Sequence, residues 1–272
     1  MSRRRLLPLL LFLLPALLCA RTAPGTESDP FTRTDLRNSL FAAPSLLGMS
    51  RAFGLSYTAF YSGDGFTDNH LLALSGYGFG LSFRKEAGAT GIFRRYTAGW
   101  GFSLPGRSSA LGLALDWYGS GDDAQLDGLA LLRFSWSRSF GNVLLFTLGM
   151  RDIVLADHAW GLAAPGIFAG TGLRLFGGFM ELHLGLDWTT EDSLAAAAKH
   201  AALLVRPLSG LEVGVDYTRR DGDDRIGLSL ALGFGQLQLS SRLLTGQDAA
   251  GSWMQFDLGS VPRTGLFGQG RK

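Results

Sequence analysis

Cysteine is almost missing: Cys19 is the only one in 272 residues, and it falls within the first twenty. A chain with one thiol builds no internal disulfide and no cysteine-ligated metal site. Histidine is scarce as well, and its four copies are scattered, which leaves no spacing suited to zinc. Charged residues make up 18% of the chain, below the usual quarter for a globular domain. The formal net charge is +2, and removing Arg3, Arg4 and Arg5 with the first twenty residues gives 2 − 3 = −1. That excludes the clustered basic face that nucleic-acid binding needs. No apolar run reaches the roughly 20 residues of a transmembrane helix. The 38 glycines keep no period of three, so the chain is not collagen-like. Nothing in the sequence asks for a cofactor.

The N-terminus carries Arg3, Arg4 and Arg5, then an apolar run from Leu6 to Leu18. A basic start followed by about a dozen apolar residues is the pattern of a secretory signal. It predicts residues 1–20 as a signal peptide cleaved near Ala20. Two readings compete. One is lipidation at Cys19, against which stands the large Leu18 before it. The other is an uncleaved anchor. Residues 21–50 are a polar lead-in with Pro24, Gly25 and Pro30. A short helical turn is expected over residues 37–48, and the segment is a candidate lumen plug. Residues 51–260 have one uniform character, and residues 261–272 form a polar tail.

The uniform character is strict alternation. Tyr96, Ala98, Trp100, Phe102 and Leu104 point one way, and Thr97, Gly99, Gly101 and Ser103 the other. Side chains alternate faces along a strand, so one face is apolar and the other small or polar. The same contrast recurs at 111–117, 132–137, 144–151, 180–188, 211–218, 226–234 and 254–258, with weaker versions at Phe53–Phe60, Leu71–Arg84, Ile167–Phe176, Ala198–Arg206 and Gln236–Leu243. Turn residues separate the runs, among them Pro105-Gly106, Gly141-Asn142, Gly177-Gly178 and Pro207–Gly210. Short strands joined by short turns pair as an antiparallel meander.

An all-β fold follows, and the apolar face decides which one. A soluble sandwich buries that face against a second sheet. Here it is rich in Leu, with Trp100, Trp117, Trp136, Trp188 and Tyr217 near strand ends, as in interfacial aromatic girdles. Strands of about 9 to 11 residues also suit a tilted crossing of a bilayer. In lipid an open sheet edge is too costly, so the sheet must close. The expectation is an antiparallel up-and-down transmembrane β-barrel of about 12–14 strands with a short N-terminal helical segment.

The polar face then looks inward and carries Asp116, Arg133, Arg151, Arg174, Glu181, His183, Asp187, Arg206, Glu212 and Asp216 as lumen-lining candidates. One reading is a charged filter for solutes; the other is an ion-pair network that stiffens a closed barrel. Glu181, His183 and Asp187 share one face and have the residue types of acid–base chemistry. No motif marks a nucleophilic serine, so no catalytic residue is assigned. His70, His158 and His200 fall at strand ends or loops and are expected to be solvated. Gly76, Gly78 and Gly80 lack a following helix pattern, so they are expected to be small lumen residues and not a nucleotide loop. Asp221–Asp224 is expected to be a hairpin turn and not a calcium loop.

Leu145–Asp152 (LFTLGMRD), Leu204–Tyr217 (LVRPLSGLEVGVDY) and Ile226–Leu239 (IGLSLALGFGQLQL) resemble the FadL/PorV-like class of outer-membrane barrels. They also resemble the barrel-like N-terminal region of some signal-peptide peptidase A homologues. Phe41–Gly48 (FAAPSLLG) resembles the "NPAALG" phrase ahead of the first strand in those families, with Ala43 in place of the Asn. The likeness spans most of residues 37–259. It implies about 14 strands, an N-terminal segment near or in the lumen, and transport of hydrophobic compounds or a role in protein export. The chain departs from the pattern in having no peptidase domain and a polar, basic end. The expected protein is an outer-membrane channel or transporter for small or hydrophobic compounds, or an export-associated scaffold. Its partners would be outer-membrane lipid, the barrel-assembly machinery, and a hydrophobic small molecule or periplasmic protein. A closed, non-conducting interaction barrel and a barrel lipid hydrolase are the alternatives.

Overall fold

The computed structural model describes residues 42–49 and most of 53–260, the exceptions being 63–64, 89–90, 107, 121–126, 156–164, 190–195, 221–222, 235–236 and 247–252. The signal segment, most of the lead-in, the polar tail and His158 lie outside the described residues.

Fourteen strands form one closed barrel in which each pairs with its sequence neighbours and the first pairs with the last. They are β1 (Gly54–Ser62), β2 (Gly65–Gly76), β3 (Phe79–Gly88), β4 (Gly91–Ser103), β5 (Ser109–Ser120), β6 (Ala130–Phe140), β7 (Leu144–Val154), β8 (Gly166–Leu175), β9 (Met180–Thr189), β10 (Ala198–Leu208), β11 (Leu211–Arg220), β12 (Asp223–Phe234), β13 (Leu237–Gly246) and β14 (Trp253–Ser260). Every pairing is antiparallel, including the closing one between β1 and β14. Among the described residues the one α-helix is α1 (Ser45–Met49), and a 3-10 turn covers Phe176–Gly178.

The expected class is borne out, with the strand number at fourteen. Alternation explains it directly. Leu55, Leu81, Trp100, Leu113, Leu148, Leu184, Val215 and Leu228 are exposed, while the intervening Ser82, Thr97, Ser135, Thr147, His183 and Asp216 are buried. The barrel therefore turns its apolar side chains outward. In water such a belt would be a very large unpaired apolar patch; in a bilayer it faces lipid.

The two rims differ. Connections after odd-numbered strands include the spans 121–129, 155–165 and 190–197, whereas those after even-numbered strands are short, such as 77–78, 141–143 and 209–210. The barrel's first and last strand ends lie at the short-turn rim, and so does the helix that precedes β1.

One segment differs from its sequence reading. Leu71–Arg84, expected as a single strand, is the hairpin of β2 and β3. Tyr77 (φ 52°) and Gly78 (φ 88°) form its turn. Two successive positive-φ residues suit the right-handed twist of a hairpin. Gly78 is thus a turn residue and not a lumen one. Asp223 and Asp224 belong to β12, so the hairpin turn over Asp221–Asp224 is tighter than expected.

Candidate functional site: the barrel interior

The interior is built from three kinds of residue: a helix seat, a set of ion pairs, and an apolar wall. The seat comes first in the chain. Pro44 precedes α1, a position where a missing amide hydrogen costs the helix nothing. The Leu46 amide donates to the Ala43 carbonyl (2.9 Å) and the Leu47 amide to the Pro44 carbonyl (3.1 Å). Ala43, Ser45, Leu46 and Leu47 are buried.

The helix packs against inward-facing residues of β3, β4, β5 and β6. Gly101 and Gly112, a register pair on β4 and β5, make this contact. A Cβ on Gly112 would meet the Ser45 amide and Pro44 backbone, and one on Gly101 would meet Gly48 and Leu47 backbone. Helix backbone therefore lies directly on barrel backbone, which only glycine permits. Hydroxyls fix the pose. The Ser45 amide donates to Ser135 Oγ (2.8 Å), Ser45 Oγ and Ser137 Oγ are 2.7 Å apart, and the Ser103 hydroxyl donates to the Gly48 carbonyl. On the other side Leu46 and Ala43 join Leu145 of β7 and Phe168 of β8 in a fully buried apolar cluster, with Ala42 and Met49 at its edge.

All ten sequence-predicted interior residues lie on the inward face, and most of them are brought together in four groups. Toward the long-loop rim, Asp116 on β5 accepts from Arg133 (2.5 Å), Arg95 (2.9 Å) and Thr97 (2.6 Å). At that rim Arg151 forks onto Asp187, with contacts of 3.0 and 2.8 Å. It also pairs with Asp152, which has φ 58° at the bulge where two residues of β7 oppose Arg133. Midway, Arg242 forks onto Asp216 at 3.1 and 2.6 Å, reaching across β12. Gly227 makes the room, since a Cβ there would meet the Asp216 carboxylate.

The fourth group lies at the short-turn rim. Glu181 accepts from Arg174 (2.8 Å) and from Arg206 (2.7 and 3.3 Å), and His183 Nε2 stands 3.6 Å from it. Arg206 also reaches Glu212 at 2.9 Å and the Gly178 carbonyl at 3.3 Å. Bidentate and shared guanidinium–carboxylate contacts of this kind are strong and geometrically specific. They also commit both carboxylates of the acid–imidazole–acid trio to arginines: Glu181 to Arg174 and Arg206, Asp187 to Arg151.

Three inward arginines escaped the sequence reading: Arg84, Arg95 and Arg242 are inward, and Arg84 and Arg242 are buried. Parity could have found Arg95, which shares a face with Thr97, and Arg84, which alternates with Phe83. His200 is a correction: expected to be solvated, it is buried in β10 with Nδ1 3.2 Å from the Thr218 hydroxyl. Residue 200 is an inward strand position, not a loop one. His70 lies on β2, facing outward, with Nδ1 2.9 Å from the Tyr57 hydroxyl.

Solved structures share this architecture. The outer membrane protein Omp33 of Acinetobacter baumannii superposes with a TM-score of 0.56 and 9% identity, covering 78% of this chain and 99% of that one. The toluene transporter TbuX of Ralstonia pickettii gives a TM-score of 0.56 at 7% identity, covering 82% and 92%. The monoaromatic hydrocarbon channel CymD gives 0.52 at 11% identity, covering 82% and 91%. At these identities the likeness is one of fold: the chain has the fold of outer-membrane β-barrels. No protein-family model matches the sequence, and neither does any curated protein sequence.

Proposed function

We propose that this chain is an outer-membrane channel whose conducting path is closed by α1, and that it passes small, preferably apolar, solutes when the helix leaves its seat. The single observation that carries this is the helix inside the barrel, laid on Gly101 and Gly112 and held by a few serine hydrogen bonds. Two further points support the reading. The wall that the helix covers includes Leu145 and Phe168, a surface an apolar solute would wet once α1 leaves. Two proteins of the same fold are named for aromatic hydrocarbons.

The reading places the chain in the outer membrane after removal of residues 1–20, with lipid and the barrel-assembly machinery as its obligatory partners, and it assigns no catalytic role to any residue. The test is conductance in planar bilayers with a Ser45→Cys/Ser137→Cys pair. Reduced protein should show single-channel steps, and oxidation should suppress them.

A second reading has its own observation. Asp116, Glu181 and Asp216 are buried and held by arginines, which suits a closed barrel that only presents its rims to a partner. If deletion of residues 42–49 yields a folded barrel that never conducts, the channel reading falls and this one stands.

A further inference from the structure

The outward face carries one row of residues that the interior does not explain. Tyr57, Leu72, Phe83, Tyr96 and Trp117 are register partners across β1 to β5, and all five are exposed. They form a continuous aromatic and aliphatic band, with the Phe83 and Tyr96 rings 5.4 Å apart. One step toward the long-loop rim lies a second row in the same register: Ala59, His70, Lys85, Arg94 and Gly119. Its three central members are basic, and its ends have little or no side chain. A Cβ on Gly119 would meet nothing within 4 Å.

Lys85 and Arg94 stand directly opposite each other. Like charges in that position repel, so the arrangement calls for an anion between them. Asp68, one row further out, is 3.5 Å from Lys85 and largely exposed. No carboxylate occupies the row itself. The opposite wall provides a contrast. Lys199 and Arg219 are also a like-charged register pair facing outward, but Asp224 completes their row. It lies 3.8 Å from Arg219 and accepts from the Tyr217 hydroxyl at 2.7 Å. Each wall thus has one carboxylate near its basic pair, but among the described residues the first row sets His70, Lys85 and Arg94 against the single, largely exposed Asp68, above a band that would hold an acyl chain.

We infer that His70, Lys85 and Arg94 form a binding site for the phosphate of a lipid in the leaflet at the long-loop rim. The acyl chains of that lipid lie along Tyr57, Leu72, Phe83, Tyr96 and Trp117. Guanidinium and ammonium groups on adjacent strands offer charge-assisted hydrogen bonds to phosphate oxygens. The aromatic row beneath them sits at the headgroup boundary where such rings are favoured. The inference rests on the membrane reading above, and its test separates the two.

The full-length sequence is expressed, and the protein is purified in detergent from the outer-membrane fraction. Binding of lipid A, a diphosphorylated glucosamine lipid, is compared with that of its dephosphorylated form and of inorganic phosphate. The native protein should prefer the phosphorylated lipid at least fivefold, and millimolar phosphate should not compete. Lys85→Gln/Arg94→Gln should abolish the preference, whereas Lys199→Gln should leave it intact. Retention of the heat-modifiable gel shift verifies folding, and Arg94→Gln alone serves if the double variant loses it. Equal binding of both lipids, full competition by phosphate, or an unchanged preference in the folded variant overturns the site. A chain that stays soluble without detergent overturns the membrane reading as well.

Discussion

Glu181 is the hub of the short-turn rim, and removing its charge while keeping its shape isolates what the ion pairs contribute. In Glu181→Gln the side chain still fills its place beside His183, but Arg174 and Arg206 face a neutral amide. A hydrogen bond to a charged group contributes about 1.5–3 kcal/mol. The Arg206 side chain is 35% exposed and keeps Glu212 at 2.8 Å, so its share is discounted strongly for solvent screening. Arg174 is less exposed, and its contact falls from a charge pair to a hydrogen bond with a neutral group. The expected cost is about 2–4 kcal/mol, most of it the lost charge of the half-buried pair with Arg174. Urea unfolding in lipid vesicles, followed by tryptophan fluorescence, measures it. Arg174→Met should cost less than Glu181→Gln. The double variant should fall short of the sum by at least about 1 kcal/mol, because the two residues share one interaction. Additive costs, or a Glu181→Gln barrel as stable as the native one, would show that the rim network is solvated and idle.

Gly112→Val should unseat α1, since the new Cβ meets helix backbone; maleimide labelling of Met49→Cys should rise severalfold in that background, and unchanged labelling contradicts the seat. Leu148→Lys, on the lipid face in mid-strand, should cost about 2–4 kcal/mol, whereas Leu237→Lys at the rim should cost about 0–1 kcal/mol. Equal costs would mean that neither position is in hydrocarbon. Asp152→Val should destabilise by about 1–2 kcal/mol more than Asp152→Gly, because a β-branched residue resists the positive φ at this bulge; similar unfolding midpoints for the two would remove the strain argument.

The outward and inward faces were legible because one rule governs them everywhere: parity along a strand. It assigned Leu113 and Leu228 outward and Asp116 and Glu181 inward with no knowledge of neighbours. It failed where the contrast it relies on disappears. In Leu71–Arg84 the alternating Gly76, Gly78 and Gly80 carried the small-residue pattern straight through a turn, so two strands read as one. At Ser240 and Ser241 two polar residues in succession erased the phase and hid Arg242. Leu144, Leu145 and Phe146 are apolar on both faces, and the inward Leu145 was invisible for that reason. Which inward residues meet each other was not legible at all. That depends on register between strands, as with Arg242 and Asp216, whose backbones have β12 between them.

Glycine content shows how far composition alone can be pressed. It indicated an inward face with small side chains, and the structure gives the reason a different form. Gly101 and Gly112 lie where a helix backbone rests on the wall, and Gly227 lies where an arginine–carboxylate pair crosses a strand. Each of the three is the imprint of something that fills the interior. A wide water-filled pore has no need of such clearances, because its lining side chains extend into solvent. These glycines therefore argue for a barrel packed from within; under the proposed function, conduction requires α1 to move while the ion pairs on β8 to β13 hold the wall in shape. The division is physical: the helix is held by neutral hydrogen bonds of about 0.5–1.5 kcal/mol each and by the buried Leu46 contact with Leu145 and Phe168, about 1.5–3 kcal/mol, and the wall by buried charge pairs that cost about 3–5 kcal/mol to break. A force that frees the first leaves the second intact.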